Sequence, residues 1–206
     1  MALVAAPPSH QTHRVIGIIF GPPGSGKGTQ AARLENELHL KHLSTGEILR
    51  AEVSRGTPIG HRVKRIMAAG DLVPDDLIVD MVRGRLSELE QGTGVLLDGF
   101  PRTVAQAEAL DLMLTAEGRV IDFVLALNVP ENELVDRILH RAAVEGRPDD
   151  TREAISERMH EYHKLTAAVL DYYRKRGVRI EEIEGTGTPA EVFQRIHAHL
   201  SASPGR

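Results

Sequence analysis

A glycine-rich stretch, GPPGSGKGT at residues 21–29, restricts the possible folds of this chain more than any other part. An apolar run at residues 15–20 precedes it, and a helical pattern with Leu34 and Leu38 follows it. A strand, a glycine-rich turn and a helix, in this order, are the context of a phosphate-binding loop. Glycines let the main chain turn tightly, so that its N–H groups and the positive end of the next helix face one anion. The stretch therefore predicts a loop that binds phosphate groups.

The spacing G-x-x-x-x-G-K indicates that Lys27 places its ammonium group against the β- and γ-phosphates of a nucleotide. Gly28 stands where serine or threonine is usual, and Thr29 comes one position later, so a metal-facing hydroxyl is less well defined than the phosphate cradle. A glycine-rich turn without a ligand is the alternative, but it leaves Lys27 unexplained. The residues predicted to hold phosphates are Gly24, Ser25, Gly26, Lys27, Gly28 and Thr29.

Length and composition limit the classes of protein that remain. The chain has 206 residues, enough for one α/β core with small insertions, and a formal net charge of −4. This charge argues against a nucleic-acid-binding or membrane-binding surface, so arginines that bind anions have to be gathered at one site. The sequence has no cysteine, and therefore no disulfide and no thiolate metal site. With no secretory signal and no apolar run of about eighteen residues, we expect a cytoplasmic location. A monomer is also expected, although the sequence carries no signal for the oligomeric state.

Apolar runs predict strands that alternate with helices. The predicted strands are residues 15–20, 42–43, 95–98, 123–129 and 178–183. Such alternation predicts a parallel sheet covered on both faces, an α/β fold of the phosphate-loop class with three αβα layers and about five strands. Ligands of these sheets bind beyond the carboxyl ends of the strands. The phosphate loop lies at that edge, so we place the functional site there.

Helix boundaries follow from local signals. Capping spacings begin helices at Ser44-x-x-Glu47 and Thr188-x-x-Glu191, and Asp150-x-x-Glu153 is expected to begin a long helix ending near Arg176. Another helix is predicted at residues 75–90, and a polar break at residues 142–150. The ten histidines show no metal-ligand spacing with acids around the site, and His160, His163, His197 and His199 are expected to be solvated.

Arginines recur at the predicted loop edges. A single arginine is more often a solvated surface group, but several around one edge indicate a site for phosphates, whose oxygens match the guanidinium fork. The arginines in such places are Arg50, Arg102, Arg137, Arg141, Arg147 and Arg158.

Five motifs together resemble the adenylate kinase family. They are GPPGSGKGTQ at residues 21–30, STGEILR at 44–50, LVPD at 72–75, LDGFPRT at 97–103 and GRPDD at 146–150. They stand in the family's order and span about residues 14–200. The resemblance implies reversible phosphoryl transfer from MgATP to AMP, giving two ADP, by a core with two mobile parts. These mobile parts are a helical monophosphate-binding insert at residues 44–73 and a short lid, without zinc, at residues 140–150. Residues 1–13 and 201–206 are expected to be loose tails.

The resemblance also implies roles for individual residues. Arg137, Arg141 and Gly187 join the phosphate loop around ATP. Asp98 holds Mg²⁺ through water, with Thr29 as a second candidate. The residues implied to bind AMP are Thr45, Gly46, Arg50, Asp71, Leu72, Val73, Gly99, Phe100, Pro101, Arg102, Gln106, Arg147 and Arg158. The residues implied to stabilise the transferring phosphoryl group are Lys27, Arg102, Arg141, Arg147 and Arg158. No covalent or general-base residue is needed, because alignment and charge stabilisation carry phosphoryl transfer.

Two alternatives remain open at this point. A pyrimidine monophosphate kinase shares nearly all of these motifs, but that relative typically has alanine at the first of two positions and asparagine near the second. This chain has Thr45 and Gln106 there, which favours adenine as the base. A nucleotide-binding switch without turnover is disfavoured because Lys27 and the arginines are all present. Gln106 also lies three residues after Thr103, a capping spacing, so it could cap a helix, contact a base, or do both.

Overall fold

The computed structural model describes residues 15–90, 93–145 and 151–202. The strands in these ranges are β1 (Ile16–Phe20), β2 (Leu40–Ser44), β3 (Gly94–Asp98), β4 (Phe123–Asn128) and β5 (Arg179–Glu184). The helices are α1 (Lys27–Leu38), α2 (Thr45–Arg55), α3 (Pro58–Ala69), α4 (Asp75–Ser87), α5 (Val104–Ala116), α6 (Glu131–Glu145), α7 (Arg152–Lys175) and α8 (Pro189–Ser201). No helix within these ranges combines the length and the apolar character needed to cross a bilayer.

The strands form one parallel sheet in the order β2-β3-β1-β4-β5. β1 is central: Ile18 pairs with Leu97 of β3 on one side and with Val124 of β4 on the other. In β2, Ser44 pairs with Asp98, the last residue of β3. Because all strands run in the same direction, the segments after β1, β2 and β3 meet at one edge. The predicted fold class is confirmed.

Alternate residues of the central strand enter two different hydrophobic cores, as the period of two in a strand requires. Ile19 packs with Leu34 of α1 and Ile196 of α8 on one face. Ile18 packs on the other face with a larger cluster that includes Leu110 of α5 and Tyr173 of α7. Helices therefore cover both faces of the sheet and leave its carboxyl edge for the site.

Helices α2 and α3 lie between β2 and β3, in the segment where the insert is predicted, and the end of α3 packs on α7. Gly70, which follows α3, has a φ of +88°, and a Cβ there would lie 2.6 Å from the main-chain oxygen of Ala154. Only glycine fits both the left-handed conformation and this close approach. Arg158 of α7 also donates to the main-chain oxygen of Met67 at 3.4 Å. The insert is thus packed against the helix that follows the predicted lid.

Several predicted boundaries were wrong. α6 continues to Glu145, so the polar break predicted at residues 142–150 is helical over its first half, because no helix-breaking residue occurs before Gly146. α7 is capped by Thr151, whose hydroxyl accepts from the Ala154 N–H, rather than by Asp150. α4 ends at Ser87, and α8 includes Ser201, which was assigned to the tail. Residues 1–14, 146–150 and 203–206 lie outside the described residues, with most of both predicted tails and part of the lid.

Candidate active site

A cavity of about 800 Å³ lies beyond the carboxyl ends of the strands. The predicted site residues that line it are Gly24, Ser25, Gly26, Lys27, Gly28, Thr29, Thr45, Gly46, Arg50, Asp71, Leu72, Val73, Asp98, Gly99, Pro101, Arg102, Gln106, Arg137, Arg141, Arg158 and Gly187. Phe100 is the exception among the predicted residues that the structure describes, because its side chain is fully buried in the core beneath the sheet edge. Arg147 lies outside the described residues. Motifs spread along the chain therefore meet around one space.

The phosphate loop leaves an anion-binding helix end open. Gly26, the N-cap of α1, has a left-handed φ of +89° and has no side chain that could cap the helix. The first N–H groups of α1 therefore receive no side-chain hydrogen bond from the N-cap. Gly24 packs so closely on α6 that a Cβ would lie 2.7 Å from Ile138 Cγ1. The buried Ser25 hydroxyl has no hydrogen-bond partner within the described ranges. Open donors at a helix N-terminus are suited to bind phosphate oxygens.

Lys27 lies folded against this loop. Its Nζ donates to the main-chain oxygens of Gly21 at 2.7 Å and of Pro22 at 2.9 Å. Burial lowers the pKa of Lys27 from 10.5 to about 8, with Arg102 and Arg141 adding to the decrease and Asp98 opposing it. The lysine is therefore a cation near neutral pH but titrates far more readily than an exposed lysine.

We expect ATP binding to take up a proton at pH 9. In the protein without nucleotide, Lys27 is protonated below about pH 8 and mostly neutral above it. Phosphates stabilise the ammonium form and raise this pKa, so binding above pH 8 has to add a proton, while ATP's own phosphates are already ionised there. Calorimetric titration at pH 9 in two buffers that differ in ionisation enthalpy measures this uptake. Lys27→Ala should abolish it and Lys41→Ala, at an exposed position, should not; equal proton uptake in Lys27→Ala and wild type would contradict the assignment.

Asp98, at the end of β3, carries the carboxylate of the site. It is 7% exposed, and its Oδ2 lies 3.2 Å from His42 Nε2. Burial alone would raise the pKa of Asp98, but the His42 hydrogen bond and the charges of Lys27, His42 and Arg102 outweigh it and hold the pKa below its ordinary value. Burial likewise opposes the charged form of His42, yet Asp98, Glu47 and Glu35 raise its pKa. Asp98 is therefore ionised near neutral pH.

His42 is a site residue that no local sequence pattern identifies, because His42 and Asp98 are 56 residues apart in the chain. The pairing of β2 with β3 brings them together: Ser44 pairs with Asp98, and His42 lies two residues earlier on the same face of β2. Only the order of the strands in the sheet indicates this contact, and that order is not encoded by any local sequence pattern.

The surroundings of Asp98 fit a magnesium ion held together with nucleotide phosphates. A Cβ on Gly28 would lie 3.9 Å from Asp98 Oδ2, so this carboxylate reaches the beginning of α1 and its phosphate loop. No group of three metal-ligating side chains occurs in the parts of the chain described. Mg²⁺ does not require one, because it commonly uses one or two carboxylates with phosphate oxygens and water.

The arginines approach the cavity from different elements. Arg102, after β3, donates through Nε to the main-chain oxygen of Gly99 at 2.9 Å. Arg137, on α6, donates to the main-chain oxygen of Gly185 at 3.0 Å and to Glu133 at 2.9 Å. Burial lowers the pKa of Arg102, and the charges of Arg158 and Arg50 lower it further, against Asp98. Positive groups crowded in this way indicate a site for a polyanion.

Thr45 and Gln106 occupy buried positions between the insert and the core. Ser44, and not Thr45, caps α2. The Thr45 hydroxyl donates to the main-chain oxygen of Gly99 at 3.0 Å, which ties α2 to the turn after β3. The Gln106 N–H is capped by the Thr103 hydroxyl, while its side chain accepts from the Arg102 N–H at 2.7 Å. Thr103 is therefore the cap of α5, and Gln106, which receives this cap at its main-chain N–H, lines the cavity with its side chain.

A parallel sheet with a phosphate loop after its central strand, and with arginines, a lysine and a carboxylate around one cavity, defines a phosphate-loop protein built to bind and transfer phosphoryl groups. The family model for adenylate kinase matches residues 19–178. The adenylate kinase of Thermus thermophilus is 53% identical over 183 residues, covering 89% of this chain and 95% of the relative. That of Xanthomonas campestris pv. campestris is 46% identical over 179 residues, covering 87% and 95%. The chain belongs to the adenylate kinase family, as its motifs predicted.

Proposed function

We propose that the chain transfers the terminal phosphoryl group of MgATP to AMP, reversibly, giving two ADP. The observation that carries this proposal is a shared cavity. It is lined by residues from the phosphate loop, the insert, the turn after β3, α6 and α7. Its volume of about 800 Å³ lies in the range of ligand sites, and its mixture of main-chain donors and cations suits phosphates. Membership of the adenylate kinase family supports the same activity.

ATP binds, in this proposal, on the side of the phosphate loop. The N–H groups at the beginning of α1 and the Lys27 ammonium hold its phosphates. Arg137 and the main chain at Gly187 lie on α6 and after β5, where they flank the base. Asp98, with Thr29 as a second candidate, holds Mg²⁺, which neutralises charge on the β- and γ-phosphates. No zinc is expected.

AMP binds on the side of the insert. Arg102 pairs with its phosphate, and Arg50 adds a second positive charge. The main chain at residues 71–73 and the side chains of Thr45 and Gln106 face its base, at the buried junction between α2, α4 and α5. Gly46, Gly99 and Pro101 complete this wall of the cavity. Phe100, whose side chain is buried, contributes only by supporting the turn.

The chemistry needs alignment and charge rather than a covalent intermediate. Arg141 and Arg158 reach the cavity from α6 and α7, and Arg147 belongs to the same predicted group. Arg141 and Arg158, together with Lys27 and Arg102, surround the region between the two nucleotides, where negative charge spreads in the transition state. Closing the insert and lid over both nucleotides would exclude water, which otherwise accepts the phosphoryl group. A monomeric state and a cytoplasmic location stay predictions.

We expect AMP to be the preferred acceptor, by at least about a hundredfold in kcat/KM over UMP and CMP, because a site that pairs with the edge of adenine leaves its groups unpaired against another base. The measurement is ADP formation from ATP with AMP, GMP, UMP and CMP as acceptors in parallel. Equal or better kcat/KM with UMP or CMP would instead favour a pyrimidine monophosphate kinase, and binding of ATP and AMP without turnover would favour a nucleotide switch.

A further inference from the structure

The carboxylate of Asp75 does not line the cavity, but it holds the side chain of Gln106, which does. Asp75 is the first residue of α4 and follows the segment proposed to face the AMP base. Its Oδ1 accepts from Gln106 Nε2 at 2.7 Å, and its Oδ2 accepts from the Thr103 hydroxyl at 2.8 Å. Gln106 itself is 2% exposed and lines the cavity. The contact therefore connects α4 to the beginning of α5 behind the base site.

These contacts determine which end of the Gln106 amide is which. A carboxylate oxygen can only accept, so the end of the amide that faces Asp75 is the NH₂ group. The Arg102 N–H can only donate, so the end that faces it at 2.7 Å is the carbonyl oxygen. Rotating the amide by 180° would place oxygen against the carboxylate and NH₂ against the main-chain N–H. Both of these contacts are repulsive, so the amide is held in one orientation.

The remaining hydrogen-bonding capacity matches one kind of base edge. A primary amide has two N–H donors and two acceptor positions on its oxygen. Asp75 takes one donor and Arg102 takes one acceptor position, which leaves one N–H and one lone pair. Adenine offers an acceptor at N1 beside the N6 amino donor, whereas hypoxanthine offers a donor at N1 beside the acceptor O6. If the free N–H of Gln106 faces N1 and its oxygen faces position 6, the amide pairs with adenine. Held in that orientation, it places donor against donor and acceptor against acceptor on hypoxanthine.

We propose that Asp75 is a positioning residue that sets acceptor specificity, by holding the Gln106 amide in the orientation that pairs with a 6-amino purine and rejects a 6-oxo purine. This inference rests on the proposed function, because it takes Gln106 as the contact to the base. Asp75 acts through Gln106 and touches no substrate. Without Asp75, the amide can turn over against a 6-oxo base, since only the Arg102 N–H still opposes the rotation.

The test compares kcat/KM for AMP with that for inosine monophosphate, which differs from AMP only at positions 1 and 6 of the base. Asp75→Asn retains the shape of the side chain but can donate as well as accept, and Asp75→Ala removes the contact. We expect both variants to lower the AMP-to-IMP ratio by about tenfold or more. Asp75→Glu, which keeps both acceptor oxygens, should retain more of the ratio than Asp75→Asn does.

Asp76→Asn is the matched control. It removes the same charge from the same first turn of α4, but Asp76 is exposed and its carboxylate accepts from the Leu77 N–H. The AMP-to-IMP ratio of this variant should equal that of wild type. Melting temperatures are measured for all variants, because the Asp75 contacts also join two helices and their loss lowers stability without changing a ratio between two substrates.

The outcomes separate this inference from the proposed function. An unchanged ratio in Asp75→Asn and Asp75→Ala, together with a lowered ratio in Gln106→Ala, would overturn the role of Asp75 and leave the base contact intact. A ratio unchanged in Gln106→Ala would overturn the placement of Gln106 at the base, and the inference with it. Lower melting temperatures with an unaltered ratio would make Asp75 a structural residue only. An equal loss of the ratio in Asp76→Asn would show an effect of charge rather than of positioning.

Discussion

Lys27→Ala should lower kcat/KM by about a hundred- to a thousandfold, the loss typical when one preorganised group that stabilises transition-state charge is removed. Lys27 Nζ lies within the phosphate loop, on the main-chain oxygens of Gly21 and Pro22, and lines the cavity. Its flexible side chain can leave these oxygens for phosphate oxygens when ATP binds. The measurement is steady-state ADP formation with ATP and AMP varied in turn.

The fold should survive this substitution. The lowered pKa of Lys27 means that burial disfavours its charged form in the protein without nucleotide, so removing this buried charge offsets the loss of its hydrogen bonds to Gly21 and Pro22. We expect a melting temperature equal to or above that of wild type. Lys41→Ala is the control, because Lys41 is an exposed lysine paired with Glu35 at 3.0 Å. Activity of Lys27→Ala above about a tenth of wild type would refute the role of the loop.

The second large effect concerns a ligand that spans both halves of the cavity. Two adenosines joined by five phosphates should bind about a hundred- to ten-thousandfold more tightly than ATP or AMP alone, because the second half then binds as an intramolecular event. The cavity is continuous from Gly187 and Arg137 on the ATP side to Gln106 on the AMP side. Differential contact with the arginines would also favour closure of the insert and lid over this ligand.

Arginine variants test whether both halves contribute to that affinity. Arg102→Ala and Arg141→Ala should each weaken binding by about ten- to a hundredfold, the effect of one charge-assisted hydrogen bond. Arg83→Ala is the control, because Arg83 is an exposed arginine on α4 that pairs with Asp80 at 2.7 Å. Calorimetric titration of each variant gives the comparison. Affinity no greater than that for ATP, or no effect of either cavity arginine, would mean that the two halves do not form one site.

Local sequence determined most of the secondary structure. The apolar run before the glycines, the capping spacing at Ser44 and the capping box of Thr188 with Glu191 each act within a few residues, so they operate in almost any surroundings. Boundaries were wrong where two local signals competed. Thr151 caps α7 although Asp150 was predicted to, and α6 continues to Glu145 because a polar segment without glycine or proline can remain helical.

The sequence by itself determined that this is a phosphate-loop enzyme with an arginine-rich site, because each motif, including the glycines and Lys27, is a short stretch that can be recognised within the chain. Only the tertiary structure decided which side chains contact one another across the site. The sheet order places His42 against Asp98, and the packing of α4 beside α5 places Asp75 against Gln106. These pairs are separated by 56 and 31 residues, and no local pattern encodes their contact. Their geometry follows from strand register and helix packing, which the whole core determines at once.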